Sequence, residues 1–291
     1  MTRPTVSVVI PTRDKADSLR LVLACLARQE CPEPHEIVVV DDGCTDGTAD
    51  VVAAAAAHLP LRTVPGPRAG RAAARNAGAA AARGGLLIFL DDDILLPPSA
   101  LAAHVAEHTG RTPGCAHGPV RELPAARRLL ATERDELLPD PHAAATSGRF
   151  GRTVTNALET LVTGMATGEL EPVAPWLTCI GANTSMPYGL WERSGGYDET
   201  FGTTWGCEDL ELGLRLWSSG AGMRLAPAAP GVHLTHERAD RWEQHTVNLT
   251  RFTEKHPVPA VRALPELLGP SGSSRRYVTA VRTLEESAAR P

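Results

Sequence analysis

The sequence predicts an α/β domain with a mostly parallel central sheet flanked by helices. Apolar, β-branched runs alternate with stretches of helical periodicity between Val6 and Asp91. Three of these runs stop at a polar residue, namely Thr12, Asp42 and Asp91. Right-handed crossovers place the carboxyl ends of parallel strands at one edge of a sheet. We therefore expect these three positions to converge at a ligand site.

The first part of the chain predicts four strands separated by three helices. Asp17 or Ser18 can cap the first helix, Thr45 or Asp46 can cap the second, and Gly70 precedes the third. The expected strands are Val6–Ile10, Glu36–Val40, Leu61–Val64 and Gly85–Leu90. The expected helices are about Leu19–Leu26, Thr48–His58 and Arg71–Arg83.

After about Pro97 the periodicity is weaker. The stretch from Glu122 to Glu171 alternates helical pieces with Gly, Pro and Ser breaks, which is typical of a functional or mobile region. The later strands are expected over Trp176–Asn183, Met223–Ala226 and Gly231–Leu234. The later helices are expected over Ser99–His108, Leu190–Gly195, Glu208–Ser219, a polar stretch after about Arg238, and Tyr277–Ala289.

Composition excludes several classes of protein. The 291-residue chain is 43% hydrophobic and 22% charged, which is ordinary for a globular protein with one substantial core. Its formal net charge of -5 argues against a nucleic-acid partner. No apolar run approaches the roughly 18 residues that a membrane span needs. The six cysteines form no CxxC pair, so reduced thiols and a cytoplasmic location are expected.

The acidic triplet Asp91-Asp92-Asp93 is the most informative local feature. It directly follows the uncharged run Gly85–Leu90, which is typical of a strand buried on both faces. Adjacent carboxylates repel one another, and a divalent cation relieves that repulsion. Mg²⁺ and Mn²⁺ prefer carboxylate and phosphate oxygens, so the triplet indicates a metal–phosphate site. A solvated acidic turn is the alternative.

Several motifs occur in an order that resembles a known family. They are Val8-Val9-Ile10-Pro11-Thr12, Val40-Asp41-Asp42-Gly43-Cys44-Thr45-Asp46-Gly47-Thr48, Ala74-Arg75-Asn76-Ala77-Gly78, Phe89-Leu90-Asp91-Asp92-Asp93, Gly195-Gly196-Tyr197-Asp198-Glu199 and Trp205-Gly206-Cys207-Glu208-Asp209. Together they resemble the family 2 inverting glycosyltransferases, which have the Rossmann-like GT-A fold. Cys44 stands where that family more usually has Ser. No QxxRW sequence is present, which counts against a processive synthase.

The resemblance also implies a domain organisation. It covers roughly residues 4–237, so a GT-A domain is expected over 1–237. Within that domain, 1–98 would be the nucleotide-sugar half and 99–237 the acceptor half. A small C-terminal helical appendage is expected over 238–291.

The resemblance implies a donor site at the strand ends. Asp42 is placed to accept a hydrogen bond from a nucleobase imide, with Pro11 and Thr12 beside the base; an Asx turn is the alternative for Asp42. Arg71 and Arg75, four residues apart on one helix face, would meet the diphosphate or the Asp cluster, or remain solvated. Of the triplet, Asp91 is expected on the ribose or an arginine, and Asp92 on the ribose or sugar hydroxyls.

The resemblance further implies a bound Mn²⁺ or Mg²⁺. Asp93 is the expected ligand, and Asp91 the other end of the DxD motif. A histidine completes the coordination in many relatives, and both His233 and His236 are candidates here. His233 is favoured because it closes a short strand, although a lone histidine is often structural.

The Glu208-Asp209 pair is expected to be catalytic. Carboxylates at a helix N-terminus can be simple caps, but an inverting transfer needs a base for the acceptor hydroxyl. The resemblance assigns that base to Asp209 and an orienting role to Glu208. Trp205 and, more weakly, Asn183 are expected to contact the acceptor.

The expected function is a metal-dependent, inverting, non-processive hexosyl- or N-acetylhexosaminyltransferase. Its donor would be a nucleoside-diphosphate sugar, with a UDP-sugar favoured. The acceptor would be a hydroxyl or amine on a small molecule, a glycan or a carrier. The alternatives are a catalytically silent nucleotide-sugar binding module and a nucleotidylyltransferase. The latter lacks support because Val6 to Arg13 carries no Gly-rich signature.

Overall fold

A computed structural model describes residues 5–132, 134–236 and 240–289. The expected boundary between residues 237 and 238 lies outside this described part. The strands are β1 (Val6–Thr12), β2 (His35–Asp41), β3 (Leu61–Pro65), β4 (Leu86–Leu90), β5 (Ile94–Leu95), β6 (Gly114–His117), β7 (Val120–Leu123), β8 (Asn183–Pro187), β9 (Gly222–Leu225) and β10 (Gly231–Leu234). The helices are α1 (Ala16–Leu26), α2 (Thr48–Ala56), α3 (Arg71–Ala81), α4 (Ala100–Ala106), α5 (Ala126–Thr132), α6 (Arg134–Leu137), α7 (Pro141–Thr146), α8 (Ala157–Thr167), α9 (Tyr188–Arg193), α10 (Glu208–Ser218), α11 (Arg241–Lys255), α12 (Pro259–Arg262) and α13 (Ser274–Ala289).

Within the described residues, seven strands form a central sheet of order β3-β2-β1-β4-β8-β6-β9. Strands β1 to β4 pair in parallel, and β8 runs antiparallel to both β4 and β6. β6 and β9 are parallel to each other, so only β8 is reversed. The expectation of a mostly parallel sheet flanked by helices is confirmed. A second sheet, of order β5-β10-β7, lies beside the end of β4.

The two faces of the central sheet bury alternate residues, as the period of two along a strand requires. Val8 and Ile10 of β1 pack in one apolar cluster with α1, whereas Val9 packs in another with α3. Helix α3 approaches the sheet closely because Gly78 has no side chain. A Cβ there would lie 2.4 Å from Val9 Cγ1. The Ala-rich sequence of α3 therefore reflects close helix–sheet packing.

The strand expected over Trp176–Asn183 is wrong. Pro175–Thr178 is a 3-10 turn, and the strand begins only at Asn183. Trp176 is buried against the middle of α10, where a Cβ on Gly213 would lie 2.4 Å from the Trp176 carbonyl oxygen. This close contact requires a compact turn rather than an extended segment.

The C-terminal helices share a core with the second half of the chain. Phe252, Val261 and Tyr277 pack in one apolar cluster with Trp176 and Leu210. The Tyr277 hydroxyl donates a hydrogen bond to the Ala260 carbonyl at 2.8 Å. These helices therefore pack directly against α10. Among the described residues, no helix combines the length and the apolarity that a membrane span requires.

Candidate active site

The carboxyl ends of β1, β2 and β4 bring the predicted donor residues to one edge of the sheet. Pro11 and Thr12 lie at the end of β1, opposite Val40 and Asp41 of β2. The Asp42 backbone N–H donates to the Thr12 carbonyl at 3.0 Å. Asp91 follows β4 directly. The structure thus brings these strand ends together as the alternation of strands and helices predicts.

Asp41 and Asp42 have different surroundings. The Asp41 carboxylate accepts the backbone N–H groups of Gly43 at 3.0 Å and Cys44 at 2.8 Å, and these bonds, the Cys44 one foremost, lower its pKa. Asp41 therefore makes the turn. Asp42 is 7% exposed and accepts the Arg68 backbone N–H at 2.6 Å. The Asx-turn alternative thus applies to Asp41, and the role of Asp42 in base recognition stays a prediction.

Asp93, His233 and His236 form a cluster with the chemistry of a metal site. One potential ligand atom from each lies within 4.8 Å of the others. His233 Nε2 lies 3.4 Å from Asp93 Oδ1, and His236 Nδ1 lies 3.3 Å from Asp93 Oδ2. Strand β10 brings His233 there, because it pairs antiparallel with β5 directly after the triplet. Both candidate histidines, rather than one, reach Asp93.

The electrostatics of this cluster favour a cation. Burial disfavours a charged imidazole, but Asp93 and Glu122 outweigh it and raise the pKa of His233 to about 10. Burial likewise opposes ionisation of Asp93, but His233 holds the pKa of that carboxyl well below its usual range. A carboxylate with two imidazoles fits a divalent transition ion such as Mn²⁺. Asp91 lies outside this cluster, which makes its expected metal contact the weaker part of the prediction.

Asp92 and Lys15 complete the surroundings of the cluster. Burial, followed by the charge of Asp93, raises the pKa of Asp92 to about 7. Lys15 Nζ lies 3.7 Å from Asp93 Oδ2 and is partly exposed. Lys15 carries no motif signal in the sequence, and it lies near the triplet because it precedes α1, which packs against β5.

Arg75 connects the donor side to the second half of the chain. Its Nη2 donates to Asp91 Oδ1 and its Nη1 to Glu208 Oε1, both at 2.8 Å. The guanidinium is 2% exposed and lies over the Tyr197 ring, 5.4 Å from its centroid. Of the alternatives for this arginine, the contact with the Asp cluster is the one observed. Asp91 likewise contacts an arginine, as one of its two expected roles required.

Arg71 begins α3, one turn before Arg75. The preceding Gly70 has φ 101°, and a Cβ there would overlap the Gly202 carbonyl, so only glycine fits. The positive charge of Arg71 lowers the pKa of Glu208, after the larger effect of Arg75. Arg71 is partly exposed. It is therefore the arginine of the pair that solvent, or a ligand, can reach.

Glu208 and Asp209 begin α10, and their pKa values are shifted in opposite directions. Arg75 outweighs the effect of burial and lowers the pKa of Glu208. Burial, followed by repulsion from Glu208, raises the pKa of Asp209 to about 6. Asp209 Oδ2 accepts the Gly181 backbone N–H at 2.9 Å, which fixes its orientation. Neighbouring carboxylates with separated pKa values are typical of acid–base sites.

Asn183 and Trp205, the two residues expected to contact the acceptor, differ in their exposure to solvent. Asn183 is fully buried, and its amide donates to the Gly118 carbonyl at 3.0 Å and the Ala229 carbonyl at 2.8 Å. These bonds join three backbone segments, and together with the full burial of the side chain they count against its expected contact with the acceptor. Trp205 is partly exposed, and its backbone N–H donates to Gln244 Oε1 at 2.9 Å. Its ring centroid lies 5.3 Å from that of His245, and its acceptor role stays a prediction.

Comparison with known proteins relates the two halves of this site to two family models. The model described as "Glycosyl transferase family 2" matches residues 7–130, and "N-terminal domain of galactosyltransferase" matches residues 164–239. Over residues 7–130 the chain is similar to glycosyltransferase family 2, and over most of its length it is similar to curated glycosyltransferases. The two matched ranges include the donor-side strand ends and the Glu208-Asp209 pair respectively.

The relatives of this chain include two curated proteins. Both are named validoxylamine A glucosyltransferase, one from Streptomyces hygroscopicus subsp. limoneus and one from subsp. jinggangensis. Each is 36% identical over 276 residues, which is 91% of this chain. The chain spans 58% and 63% of the lengths of these two relatives.

Solved structures share the GT-A fold with this chain. The mannosyltransferase PcManGT from Pyrobaculum calidifontis, in complex with GDP-Man and Mn²⁺, has a TM-score of 0.62 at 21% identity. That match covers all of this chain, 100%, and 77% of PcManGT. S. aureus TarS 1-349 with UDP-GlcNAc has a TM-score of 0.57 at 16% identity, covering 97% of this chain and 73% of TarS.

Proposed function

We propose that this chain transfers a glycosyl group from a nucleoside-diphosphate sugar to a hydroxyl or amine of an acceptor, with inversion and with a divalent cation. The observation that carries the proposal is the bridge made by Arg75. Its guanidinium contacts Asp91 of the donor side and Glu208 beside Asp209 at equal 2.8 Å distances. A candidate base is thereby held next to a candidate donor site.

The donor would bind along the carboxyl edge of the sheet. Asp42, with Thr12 and Pro11 beside it, would recognise the base, and Asp92 would reach the ribose or sugar hydroxyls. Arg71, at the partly exposed N-terminus of α3, would contact the diphosphate. Asp93, His233 and His236 would hold the metal ion, and the two imidazoles favour Mn²⁺ over Mg²⁺. When bound, that ion supplies Lewis-acid neutralisation of the departing diphosphate.

Asp209 would act as the base in a single displacement. The acceptor oxygen or nitrogen attacks the anomeric carbon from the face opposite the diphosphate, and its proton passes to Asp209. The new glycosidic bond forms as the bond to the diphosphate oxygen breaks, which inverts the anomeric configuration. The raised pKa of Asp209 suits this task, since a base with a pKa nearer neutrality is a better proton acceptor. Glu208, held by Arg75, would remain an anion.

The relatives and neighbours narrow the substrates to be tested. The curated relatives are named as glucosyltransferases of validoxylamine A, so we propose glucose as the sugar and validoxylamine A as the first acceptor to test. The structural neighbours were solved with GDP-Man and with UDP-GlcNAc. UDP-glucose is the first donor to test and GDP-glucose the second.

The deciding experiment incubates the protein with each donor, Mn²⁺ and validoxylamine A, and follows the product by mass spectrometry and proton NMR. A product heavier by one hexose, with the anomeric configuration opposite to that of the donor, supports the proposal. Retention of configuration would contradict the inverting mechanism. Donor binding by calorimetry without transfer or hydrolysis would favour the silent binding module. Equal activity with EDTA would contradict the metal requirement.

A further inference from the structure

Glu122 lies behind His233 in the second sheet. Strand β7 pairs in parallel with β10, in a register that sets Glu122 opposite His233. Glu122 Oε2 lies 2.6 Å from His233 Nδ1, on the side of the imidazole away from Asp93. The two residues are 111 positions apart in the chain. No motif in the sequence indicates this contact.

This contact determines which nitrogen of His233 can bind a metal. A carboxylate can only accept a hydrogen bond, so Nδ1 carries the proton that is donated to Glu122. A metal ion would therefore displace the proton on the other nitrogen, Nε2, and it is Nε2 that faces Asp93 Oδ1 at 3.4 Å. We propose that Glu122 is a positioning residue that fixes His233 as an Nε2 metal ligand. The inference rests on the proposed function, because it requires a cation at Asp93, His233 and His236.

Glu122 is itself held from several directions. The Thr235 hydroxyl donates to Oε2 at 2.7 Å, and the Asn156 amide donates to Oε1 at 3.2 Å. Asn156 is the N-cap of α8, where its Oδ1 accepts the Glu159 N–H at 2.9 Å. The backbone of Glu122 also exchanges hydrogen bonds with Val154, at 2.8 and 2.9 Å. These contacts leave the carboxylate one orientation, in which it faces His233.

Carboxylates that orient a ligating histidine typically contribute 10- to 100-fold to metal affinity. We expect Glu122→Gln, which keeps an acceptor oxygen but removes the charge, to weaken Mn²⁺ binding about 10-fold, and Glu122→Ala about 100-fold. Glu136→Gln is the matched control. Glu136 is an exposed carboxylate paired only with Arg149 among the described contacts, and this change should leave the affinity unaltered.

The affinity is measured by titrating the full chain with Mn²⁺ and detecting the free ion by electron paramagnetic resonance. Nitrogen-15 NMR of the protein loaded with diamagnetic Zn²⁺ reports the tautomer. The His233 Nδ1 signal should be that of a protonated nitrogen in the unaltered protein, and this signature should be lost or mixed in Glu122→Ala. A purely structural role would not change the tautomer. Thermal melting shows whether each variant is folded. If Glu122→Ala is not folded, the Mn²⁺ affinity of Glu122→Gln tests the proposal.

The outcomes separate this inference from the proposed function. Unaltered affinity in both Glu122 variants, with Mn²⁺ bound by the unaltered protein, would overturn the role of Glu122 alone. A metal bound through Nδ1 would overturn it as well. No Mn²⁺ binding by the unaltered protein would overturn the metal requirement and this inference together.

Discussion

Asp209 and Glu208 show how two adjacent carboxylates acquire different chemistry. Glu208 is 5% exposed and has the Arg75 guanidinium as its partner, so it remains ionised. Asp209 accepts neutral backbone N–H groups from Gly181 and Leu210 and has the negative Glu208 beside it. Its pKa of about 6 follows from burial first and from that repulsion second. Asp209 is therefore the residue of the pair that can exchange a proton near neutral pH.

We expect Asp209→Asn to lower kcat for transfer about 100- to 10,000-fold, which is the usual contribution of a general base. The asparagine keeps the size of the side chain, so the affinity for UDP in the presence of Mn²⁺ should be nearly unchanged. Product formation and calorimetric UDP titration measure the two quantities. Equal losses of activity and of UDP affinity would contradict the assignment of the base.

The raised pKa of Asp209 also predicts a pH dependence. Only the ionised carboxylate can accept the acceptor proton, so kcat/KM for the acceptor should fall about tenfold per pH unit below about 6 and level off above it. Initial rates between pH 5 and 8 test this expectation. A profile that is flat down to pH 5 would show that another group, with a lower pKa, accepts the proton.

At the scale of elements, α10 is fixed by the end of α11. Glu211, in the first turn of α10, is fully buried and accepts hydrogen bonds from Lys255 at 2.6 Å and His256 at 2.9 Å. Arg215, one turn later, donates to the same carboxylate at 2.9 Å. Glu211 is therefore buried among three partners rather than solvated, although it lies on the polar-rich first turn of its helix. The C-terminal helices thereby set the position of the helix that carries Asp209.

Glu211→Gln should lower the free energy of unfolding by about 2–3 kcal/mol, because the charged partners Lys255 and Arg215 lose a buried counter-charge. Urea unfolding measures the change. Glu171→Gln is the control: Glu171 pairs with Arg282, both side chains are about half exposed, and such pairs contribute under about 1 kcal/mol. Equal effects of the two changes would contradict the anchoring role of Glu211.

The sequence predicts the elements near the donor site better than those of the second half. Strands β1, β2 and β4 are β-branched or apolar runs, so their pattern is unambiguous. Strands β6 and β7 have four residues each and include Gly114, His117, Arg121 and Glu122, and so no alternation is visible. Asp91 and Asp93 could be predicted as site residues because they follow the end of a buried strand. The Arg75–Glu208 and Glu122–His233 pairs join residues 133 and 111 positions apart, which no local pattern records.

At the scale of the whole molecule, a buried polar network ties α4 to the reversed strand β8. His104 is fully buried, with Nδ1 2.9 Å from Ser185 Oγ and Nε2 3.0 Å from Asn183 Oδ1. His108 Nε2 lies 2.8 Å from the same Ser185 hydroxyl. Burial lowers the pKa of both histidines to about 4. The fold therefore holds both imidazoles neutral at physiological pH.

This network predicts sensitivity to acid. The unfolded chain protonates His104 near pH 6.5 and the folded chain only near 4. Above pH 6.5 His104 is neutral in both states and does not oppose folding. As the pH falls from 6.5 towards 4, the free energy of unfolding decreases, by on the order of 2 kcal/mol at pH 5. Urea unfolding at pH 7 and pH 5 with EDTA measures it. The unaltered protein should lose more stability than His104→Gln, and equal losses would contradict this explanation.

The position of Arg75 has an evolutionary consequence. One guanidinium binds two carboxylates that come from the two halves of the chain, and a Cβ at Gly181 would lie only 2.8 Å from its Cζ. Loss of the arginine would leave the buried Glu208 and the partly exposed Asp91 without their shared cation, and loss of either acid would leave a buried guanidinium N–H group without its acceptor. Single substitutions at 75, 91 or 208 should therefore be selected against. Where the family departs from this arrangement, we expect these three positions and residue 181 to have changed together.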